Sequence, residues 1–348
     1  MNRLIIILLY CSLFTGTLIV IISNHWFPIW LGLELSTLSV IPLLNISNTP
    51  RSNEAILKYF LVQAFSAALL LNGATLSLWL NNSWNINSVF YYPICYIMIV
   101  IALIIKLGLA PCHFWFPDVL SGLSFINGII IACWQKIAPM FILLSLNHYF
   151  PLELLILCAL LSVIIGGWGG LNQVSIRKIL AYSSISHLGW IICTLFFAPN
   201  IAILIFIFYL INTTMIFLLC HNNNLFFLSS LSKISMTPTT NILFSISLLS
   251  LGGLPPLGGF LNKLIPLTIF TLNSNIIIVP IFLLGSLMNL FFYLRIVFNT
   301  SLILFPQHSL NIITNRSSNN TFFDNIISII APLVIWGLLL SPFFFLFI

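Results

Sequence analysis

The stretch IALIIKLGLAP, residues 101–111, has the composition of a membrane-spanning helix with a lysine near its end. Five apolar residues precede Lys106, and only Leu-Gly-Leu separates it from Ala110 and Pro111. A charged side chain in the hydrocarbon core costs about 2.5–3.5 kcal/mol on insertion scales, and such residues usually mark an ion or proton pathway. Lys106, beside a helix break, is therefore a candidate for such a pathway.

The composition is that of a membrane protein. The chain has 348 residues, of which 60% are hydrophobic and only 5% are charged, whereas soluble domains carry about 25% charged residues. Apolar runs of about 20 residues, long enough to cross a bilayer as helices, recur along the whole length. The short alternating segments of a transmembrane β-barrel are not seen. The sequence therefore predicts an all-α polytopic membrane protein.

Eleven spans are expected, in a single transmembrane domain that covers residues 1–348. The first apolar run, residues 4–22, is too long for the core of a signal peptide and is read as the first span. We expect two five-helix repeats, about 1–147 and about 150–298, and a C-terminal helix at about 325–347. The spans are expected near 3–23, 26–46, 57–80, 90–110, 124–146, 152–171, 178–197, 200–220, 240–270, 276–298 and 325–347.

The charged loop residues predict the orientation. With eleven spans, every lysine and arginine of the loops and termini falls on the side of the N-terminus, and the opposite side has none. This asymmetry places the N-terminus in the cytoplasm or, in a mitochondrion, in the matrix. Since the basic residues are thinly spread, the net charge of +6 does not indicate nucleic-acid binding. The basic residues on the side of the N-terminus are Arg3, Arg51, Lys58, Arg177, Lys178, Lys233, Arg295 and Arg316.

Four charged residues lie inside predicted spans: Glu34, Lys106, Lys136 and Lys263. Each has a structural alternative. Glu34 could be a carboxyl that burial keeps neutral, Lys136 could be an ion-pair strut between helices, and Lys106 and Lys263 could extend toward the interface. Three lysines and a glutamate in a chain so poor in charge favour an ion or proton path.

Two spans contain helix-breaking segments. KLGLAPCHFWFPDVLSG, residues 106–122, ends the fourth span, and residues 111–123 are expected to be irregular. LLSLGGLPPLGGFLNKLIPL, residues 248–267, interrupts the ninth span around Pro255 and Pro256. Backbone can open at membrane depth only where protein or a hydrated cavity satisfies it. Interrupted helices at matching positions of two halves are typical of inverted-repeat transporters.

Two histidines extend the polar set. His113 follows the first break, and His187 lies in the seventh span beside Ser183, Ser184 and Ser186. A histidine that titrates near neutral pH suits proton transfer, but either residue could instead be a hydrogen-bonded packing residue. The seven cysteines are scattered without a CxxC motif, so they predict neither a zinc nor an iron–sulfur site. Nucleotide-binding glycine motifs are also missing from the sequence.

Four segments resemble a known family. WLGLELSTLSVIPLL, SNEAILKYFLVQAFSAALLL, KLGLAPCHFWFPDV and LSLGGLPPLGGFLNK are similar to the antiporter-like membrane subunits of NADH:ubiquinone oxidoreductase (complex I), in their animal mitochondrial form. The resemblance covers nearly the whole chain. It implies two inverted five-helix repeats, and it implies that the chain starts three helices later than the fourteen-helix members.

The resemblance also implies a function and a set of site residues. A Glu–Lys pair, a central lysine and a lysine on the second broken helix match Glu34, Lys106, Lys136 and Lys263. The implied role is proton translocation driven by redox chemistry elsewhere, with NADH, FMN, iron–sulfur clusters and ubiquinone in other subunits and no cofactor in this chain. The implied partners are neighbouring antiporter-like and small membrane subunits and lipids, in the mitochondrial inner membrane.

Two other functions remain open. A stand-alone cation/proton antiporter of the same family would exchange sodium for protons when purified alone. A structural anchor for an enzyme complex would need the lysines for assembly only. If the chain translocates protons as a complex I subunit, we expect Glu34 and Lys106 to form a switchable ion pair. When the pair is closed, each residue keeps the other charged. Lys106 would then pass a proton to Lys136, and through His187 toward Lys263.

Overall fold

The computed structural model describes residues 3–45, 49–86, 93–146, 152–231, 238–255, 257–273, 277–303 and 321–346. Within these ranges the chain is helical, and pairing between extended segments is confined to two isolated bridges. The predicted all-α polytopic fold is confirmed. Of the predicted residues, Lys233, Pro256 and Arg316 lie outside the described ranges.

The chain divides into two compact units, Met1–Cys158 and Ala159–Ile348, and the boundary between them lies inside a helix. The first unit begins with α1 (Arg3–Ile22), α2 (Trp26–Leu44), α3 (Pro50–Asn81), α4 (Pro93–Leu107), α5 (Trp115–Gly122), α6 (Phe125–Ile129), a π-helical turn (Ile130–Trp134) and α7 (Gln135–Ser145).

The helix that contains the boundary is α8 (Leu152–Leu171). The helices that follow are α9 (Ile176–Phe197), α10 (Pro199–Asn222), α11 (Leu228–Leu231), α12 (Pro238–Gly252), α13 (Leu261–Leu272), α14 (Ile278–Ile303) and α15 (Thr321–Leu346).

The helix lengths agree with the predicted spans. Within the described ranges, eight helices are long and apolar enough to cross a membrane. The shorter apolar helices include α4, α12 and α13, which flank the two predicted breaks. Adding α4, α15, and α12 with α13 as one interrupted span to these eight gives the eleven expected spans within the described ranges.

The third span begins at Pro50, seven residues before the predicted start at residue 57. The Thr49 hydroxyl accepts a hydrogen bond from the Ser52 N–H at 3.2 Å, and the Ser52 hydroxyl accepts one from the Thr49 N–H at 2.9 Å. This reciprocal cap satisfies two N–H groups that the helix leaves free, and Pro50 at the first helical position needs no hydrogen-bond partner. The prediction missed the cap because residues 49–56 are polar.

The first break differs from the prediction. α4 ends at Leu107, and Gly108 adopts a left-handed conformation with φ +73°. The N–H of Leu109 donates to the carbonyl of Ile104 at 3.1 Å, which closes the helix end. The expectation of irregular chain over 111–123 was wrong, because α5 occupies Trp115–Gly122. Pro117 lies in the first turn of α5, where its missing N–H costs no hydrogen bond.

The second break ends in the same way. α12 ends at Gly252, Gly253 has φ +74°, and the N–H of Leu254 donates to the carbonyl of Leu249 at 3.3 Å. A 3₁₀ turn, Gly258–Phe260, then leads into α13. The interruption predicted for the ninth span is confirmed, and both interrupted spans end their first helix on a left-handed glycine.

Matching contacts recur inside the two units. In the first unit, an isolated bridge joins His25, before the second helix, to Asn85, after the third. In the second unit, Ser175 and Phe227 form the equivalent bridge. The order of helices, breaks and bridges therefore agrees with two five-helix repeats.

Close helix packing also recurs. A Cβ built on Gly16 would lie 2.9 Å from the backbone nitrogen of Ser36, and one built on Gly166 would lie 2.8 Å from that of Ser186. The first and second helices of each unit therefore touch backbone to backbone, as small residues permit in membranes.

Candidate functional site

Two of the predicted lysines meet at one cavity in the first unit. Lys106 on α4 is 6% exposed, Lys136 on α7 is 2% exposed, and both line a cavity of about 10 Å³. That volume is close to the minimum that holds one water molecule. A buried lysine pair at a water-sized cavity is an arrangement in which ammonium groups can exchange protons through water.

Lys106 is held next to the first break. Its ammonium donates to the side-chain carbonyl of Gln63 on α3 at 3.4 Å. The indole N–H of Trp115, at the start of α5, donates to the carbonyl of Ile105 at 3.1 Å. That carbonyl lies at the last turn of α4, where helical partners run out, so the tryptophan satisfies it and holds α5 against the lysine's helix.

Lys136 follows the π-helical turn by two residues. Its ammonium lies 4.5 Å from the ring centroid of Phe116, within the range of a cation–π contact. The neighbouring Gln135 donates to the carbonyl of Ser36 on α2 at 3.2 Å. π-Helical turns are frequent at functional sites, since one extra residue per turn re-aims the side chains around them. Here the turn directly precedes the two polar residues that reach the cavity and α2.

Glu34 lies beside this lysine pair without contacting it. The side chain is half-buried on α2, and its carboxylate accepts a hydrogen bond from the Thr37 hydroxyl at 3.1 Å. The carboxylate is near enough to Lys106 for their charges to interact. Within the described part of the chain, direct ion pairs join Lys58 to Glu54 at 2.8 Å and to Asp118 at 3.1 Å. The expected pair between Glu34 and Lys106 is therefore open in this structure.

The polar residues that line the cavity and were not predicted include Tyr59, Gln63 and Gln135. Tyr59 is 1% exposed, and its hydroxyl has no hydrogen-bond partner among the described residues. An unpaired buried hydroxyl beside a water-sized cavity fits a bound water molecule. The signal that could have found these residues is their polarity within otherwise apolar spans.

The two predicted histidines lie in different environments. His113 is 2% exposed inside the first break, and its Nδ1 lies 3.1 Å from the carbonyl oxygen of Pro111. His187, on α9, is 5% exposed, and its Nε2 lies 3.5 Å from the hydroxyl of Tyr293 on α14. The ring centroid of Tyr209 lies 5.9 Å from that of His187. Neither tyrosine was predicted.

Lys263 is coupled to the second break. It lies in the first turn of α13, half-buried, and its ammonium donates to the carbonyl of Gly252 at the end of α12. Its aliphatic chain passes Gly253, where an added Cβ would lie 2.7 Å from the lysine Cδ. The lysine thus satisfies a carbonyl that the helix end leaves open. The lysine thus lies beside the second break and links its two flanking helices.

The predicted residues form two separate groups. The first unit brings Lys106 and Lys136 to one cavity, with Glu34 nearby and His113 in the adjoining break. The second unit pairs His187 with Tyr293 and Lys263 with Gly252. Each unit therefore places wholly or partly buried titratable groups in or near an interrupted span.

The chain is similar to known proteins. Residues 23–289 match the family model described as NADH:quinone oxidoreductase/Mrp antiporter, TM, and residues 290–345 match that of the NADH dehydrogenase subunit 2 C-terminus. NADH-ubiquinone oxidoreductase chain 2 of Pisaster ochraceus is 45% identical over 98% of both chains, and that of Paracentrotus lividus is 49% identical over 91% of this chain and 90% of the relative. The donkey protein, from Equus asinus, is 40% identical over 98% of this chain and 97% of its own.

Solved structures show the same fold. A chain of respiratory complex I from Thermus thermophilus with bound Aureothin aligns with a TM-score of 0.86 and 25% identity, covering 98% of this chain and 79% of that chain. A chain of the Mrp complex from Dietzia sp. DQ12-45-1b aligns with a TM-score of 0.75 and 18% identity, covering 84% and 59%. The second likeness concerns the fold alone.

Interrupted helices, buried lysines and these likenesses define an antiporter-like membrane subunit. The chain belongs to the NADH-ubiquinone oxidoreductase chain 2 family. It is a multi-pass membrane subunit of NADH:ubiquinone oxidoreductase, and the redox cofactors of that enzyme lie in other subunits.

Proposed function

We propose that this chain translocates protons across the membrane, with energy supplied by redox chemistry in other subunits of NADH:ubiquinone oxidoreductase. The observation that supports this function most strongly is the pair of buried lysines, Lys106 and Lys136, at one water-sized cavity. A lysine can give up its proton when buried, whereas the guanidinium of an arginine stays charged. A purely structural anchor would gain nothing from burying two lysines at one cavity.

The proposed route begins at Glu34 and Lys106 and continues to Lys136. In the second unit it uses His187 and Lys263, and His113 is a further relay candidate at the first break. When the Glu34–Lys106 pair is closed, each charge stabilises the other. When it opens, burial favours the neutral forms, and the ammonium can release its proton.

We also propose the location and neighbours of the chain. The asymmetric loop charges and the animal relatives support the mitochondrial inner membrane, with the N-terminus facing the matrix. The exposed apolar face of α1, which includes Leu4, Leu8 and Leu18, suits contact with lipids or with other membrane subunits. The expected protein neighbours are antiporter-like and small membrane subunits of the same enzyme.

A stand-alone cation/proton antiporter is the second candidate, since the Mrp chain has the same fold. It predicts sodium–proton exchange by the purified chain in liposomes. The proposed function instead predicts that proton movement requires the assembled enzyme and electron flow to quinone.

The test is Lys263→Met in the assembled enzyme. The variant removes the ammonium that caps Gly252 while keeping an unbranched apolar chain, so we expect fewer protons pumped per electron at normal assembly. Lys178→Met, at the start of α9 and outside the site, is the control and should leave that ratio unchanged. A normal ratio in assembled Lys263→Met enzyme would refute the proposed role, and loss of assembly alone would favour a structural anchor.

A further inference from the structure

Tyr293 is a buried residue that the proposed route does not yet use. It lies on α14, is fully buried, and its hydroxyl oxygen is 3.5 Å from Nε2 of His187. One turn earlier on the same helix, Asn289 donates to the hydroxyl of Ser186 on α9 at 2.7 Å. Two successive polar contacts therefore hold α14 against the histidine's helix, and the second ends on the titratable ring.

The first unit has a residue at the position equivalent to Tyr293. Gln135 contacts Ser36 on the second helix of its unit, as Asn289 contacts Ser186. Four residues further on, the first unit has Pro139, which lines the lysine cavity, and the second unit has Tyr293. Tyr293 is thus the positional equivalent of a residue that lines the lysine cavity in the first unit.

The ring of Tyr293 also reaches the second break. A Cβ built on Gly252 would lie 3.7 Å from Cδ2 of Tyr293, and the Gly252 carbonyl accepts the hydrogen bond from the Lys263 ammonium. Tyr293 therefore contacts His187 through its hydroxyl, and its ring lies beside the residue that Lys263 caps.

A phenol hydroxyl suits a histidine that changes charge. The neutral ring accepts at Nε2 in one tautomer, and the hydroxyl can then donate to it. The protonated ring donates from Nε2, and the hydroxyl oxygen can then accept. One group thus satisfies Nε2 in both states, and a buried N–H without a partner would disfavour the protonated state.

We propose that Tyr293 is a positioning residue for proton transfer through His187: its hydroxyl keeps Nε2 hydrogen-bonded both before and after the ring takes up a proton. This inference rests on the proposed proton-translocating function. It adds α14 to the proton route, because the charged residues of the route lie on other helices.

The experiment compares Tyr293→Phe with His187→Gln in the assembled enzyme, measuring protons pumped per electron and the rate of electron transfer to quinone. Tyr293→Phe keeps the ring against Gly252 and removes only the hydroxyl. Losing this hydrogen bond should slow protonation of His187 by about tenfold. We therefore expect both variants to lower the proton ratio, and the double variant to lower it no further, as for residues that act as one unit. Tyr182→Phe, which removes a hydroxyl elsewhere in the same unit, is the control and should keep the parental ratio.

A normal ratio in Tyr293→Phe with a lowered ratio in His187→Gln would overturn this inference and leave the proposed function standing. An additive loss in the double variant would overturn it as well. Normal ratios in Tyr293→Phe, His187→Gln and Lys263→Met together would instead refute the proposed function. If Tyr293→Phe does not assemble, Tyr293→His and Tyr293→Leu give the same comparison, because imidazole both donates and accepts. Equal ratios in those two variants would overturn the inference.

Discussion

At the position of Lys106, a lysine can release a proton and an arginine cannot. Its ammonium is buried, hydrogen-bonded by the neutral amide of Gln63, and within electrostatic reach of Glu34. A neutral acceptor stabilises the ammonium less than a carboxylate does, so the charged form of Lys106 is favoured less strongly. With this neutral partner, Lys106 can release its proton.

Gln63→Glu tests this reasoning. It places a carboxylate where the amide now lies 3.4 Å from the Lys106 ammonium, and adjacent opposite charges favour the charged form of both groups. We expect the enzyme to assemble but to pump fewer protons per electron. Gln63→Met, of similar volume and without charge, is the matched comparison and should retain more pumping. Equal pumping by Gln63→Glu and the parent would show that Lys106 does not need to release its proton.

The charged site residues could be predicted from the sequence, and their neutral partners could not. Glu34, Lys136 and the other charges stand out because a charge in an apolar span is costly. Tyr59 and Tyr293 do not, since a single hydroxyl in a span is tolerated and its role depends on which helix faces it. The open arrangement of Glu34 and Lys106 also depends on side-chain partners that only the folded chain provides.

The elements that position the site are the interrupted helices and the close helix pairs. Apolar run lengths predicted the spans, and glycine and proline predicted both interruptions. α5 and the π-helical turn were missed for separate reasons. Two prolines suggested irregular chain although one of them fits a first helical turn, and a π turn leaves no pattern in an apolar sequence.

Gly16→Leu tests the helix pairing. An added Cβ would lie 2.7 Å from the carbonyl oxygen of Gly32, a backbone atom that cannot move without separating α1 from α2. Overpacking of this kind typically costs about 1–3 kcal/mol, so we expect a lower thermal midpoint of the assembled enzyme or reduced assembly. Thr15→Leu, on the exposed face of the same helix, is the control. An unchanged midpoint in Gly16→Leu would contradict backbone contact between these helices.

At the scale of the whole molecule, the distribution of charge orients the chain. The eleven spans place Arg3 and Arg51 at the starts of α1 and α3, and Arg177 at the start of α9, all on the same predicted side. Apolar composition could predict membrane insertion, while partner subunits and the energy that drives pumping lie outside the information in one chain.

Cysteine labelling tests the orientation. A cysteine introduced at Arg177 should react with a membrane-impermeant reagent added from the matrix side. A cysteine at Asn82, at the end of α3, should react only from the opposite side. The reverse pattern would contradict the proposed topology.

The most direct test of proton transfer through the buried lysines is the proton-to-electron ratio of assembled Lys106→Arg enzyme. Arginine keeps the positive charge and can still donate to Gln63, but it does not release its proton under these conditions. The account predicts normal assembly, continued electron transfer to quinone and a lowered ratio. An unchanged ratio in the assembled variant would contradict it, because Lys106 would then act only through its fixed charge.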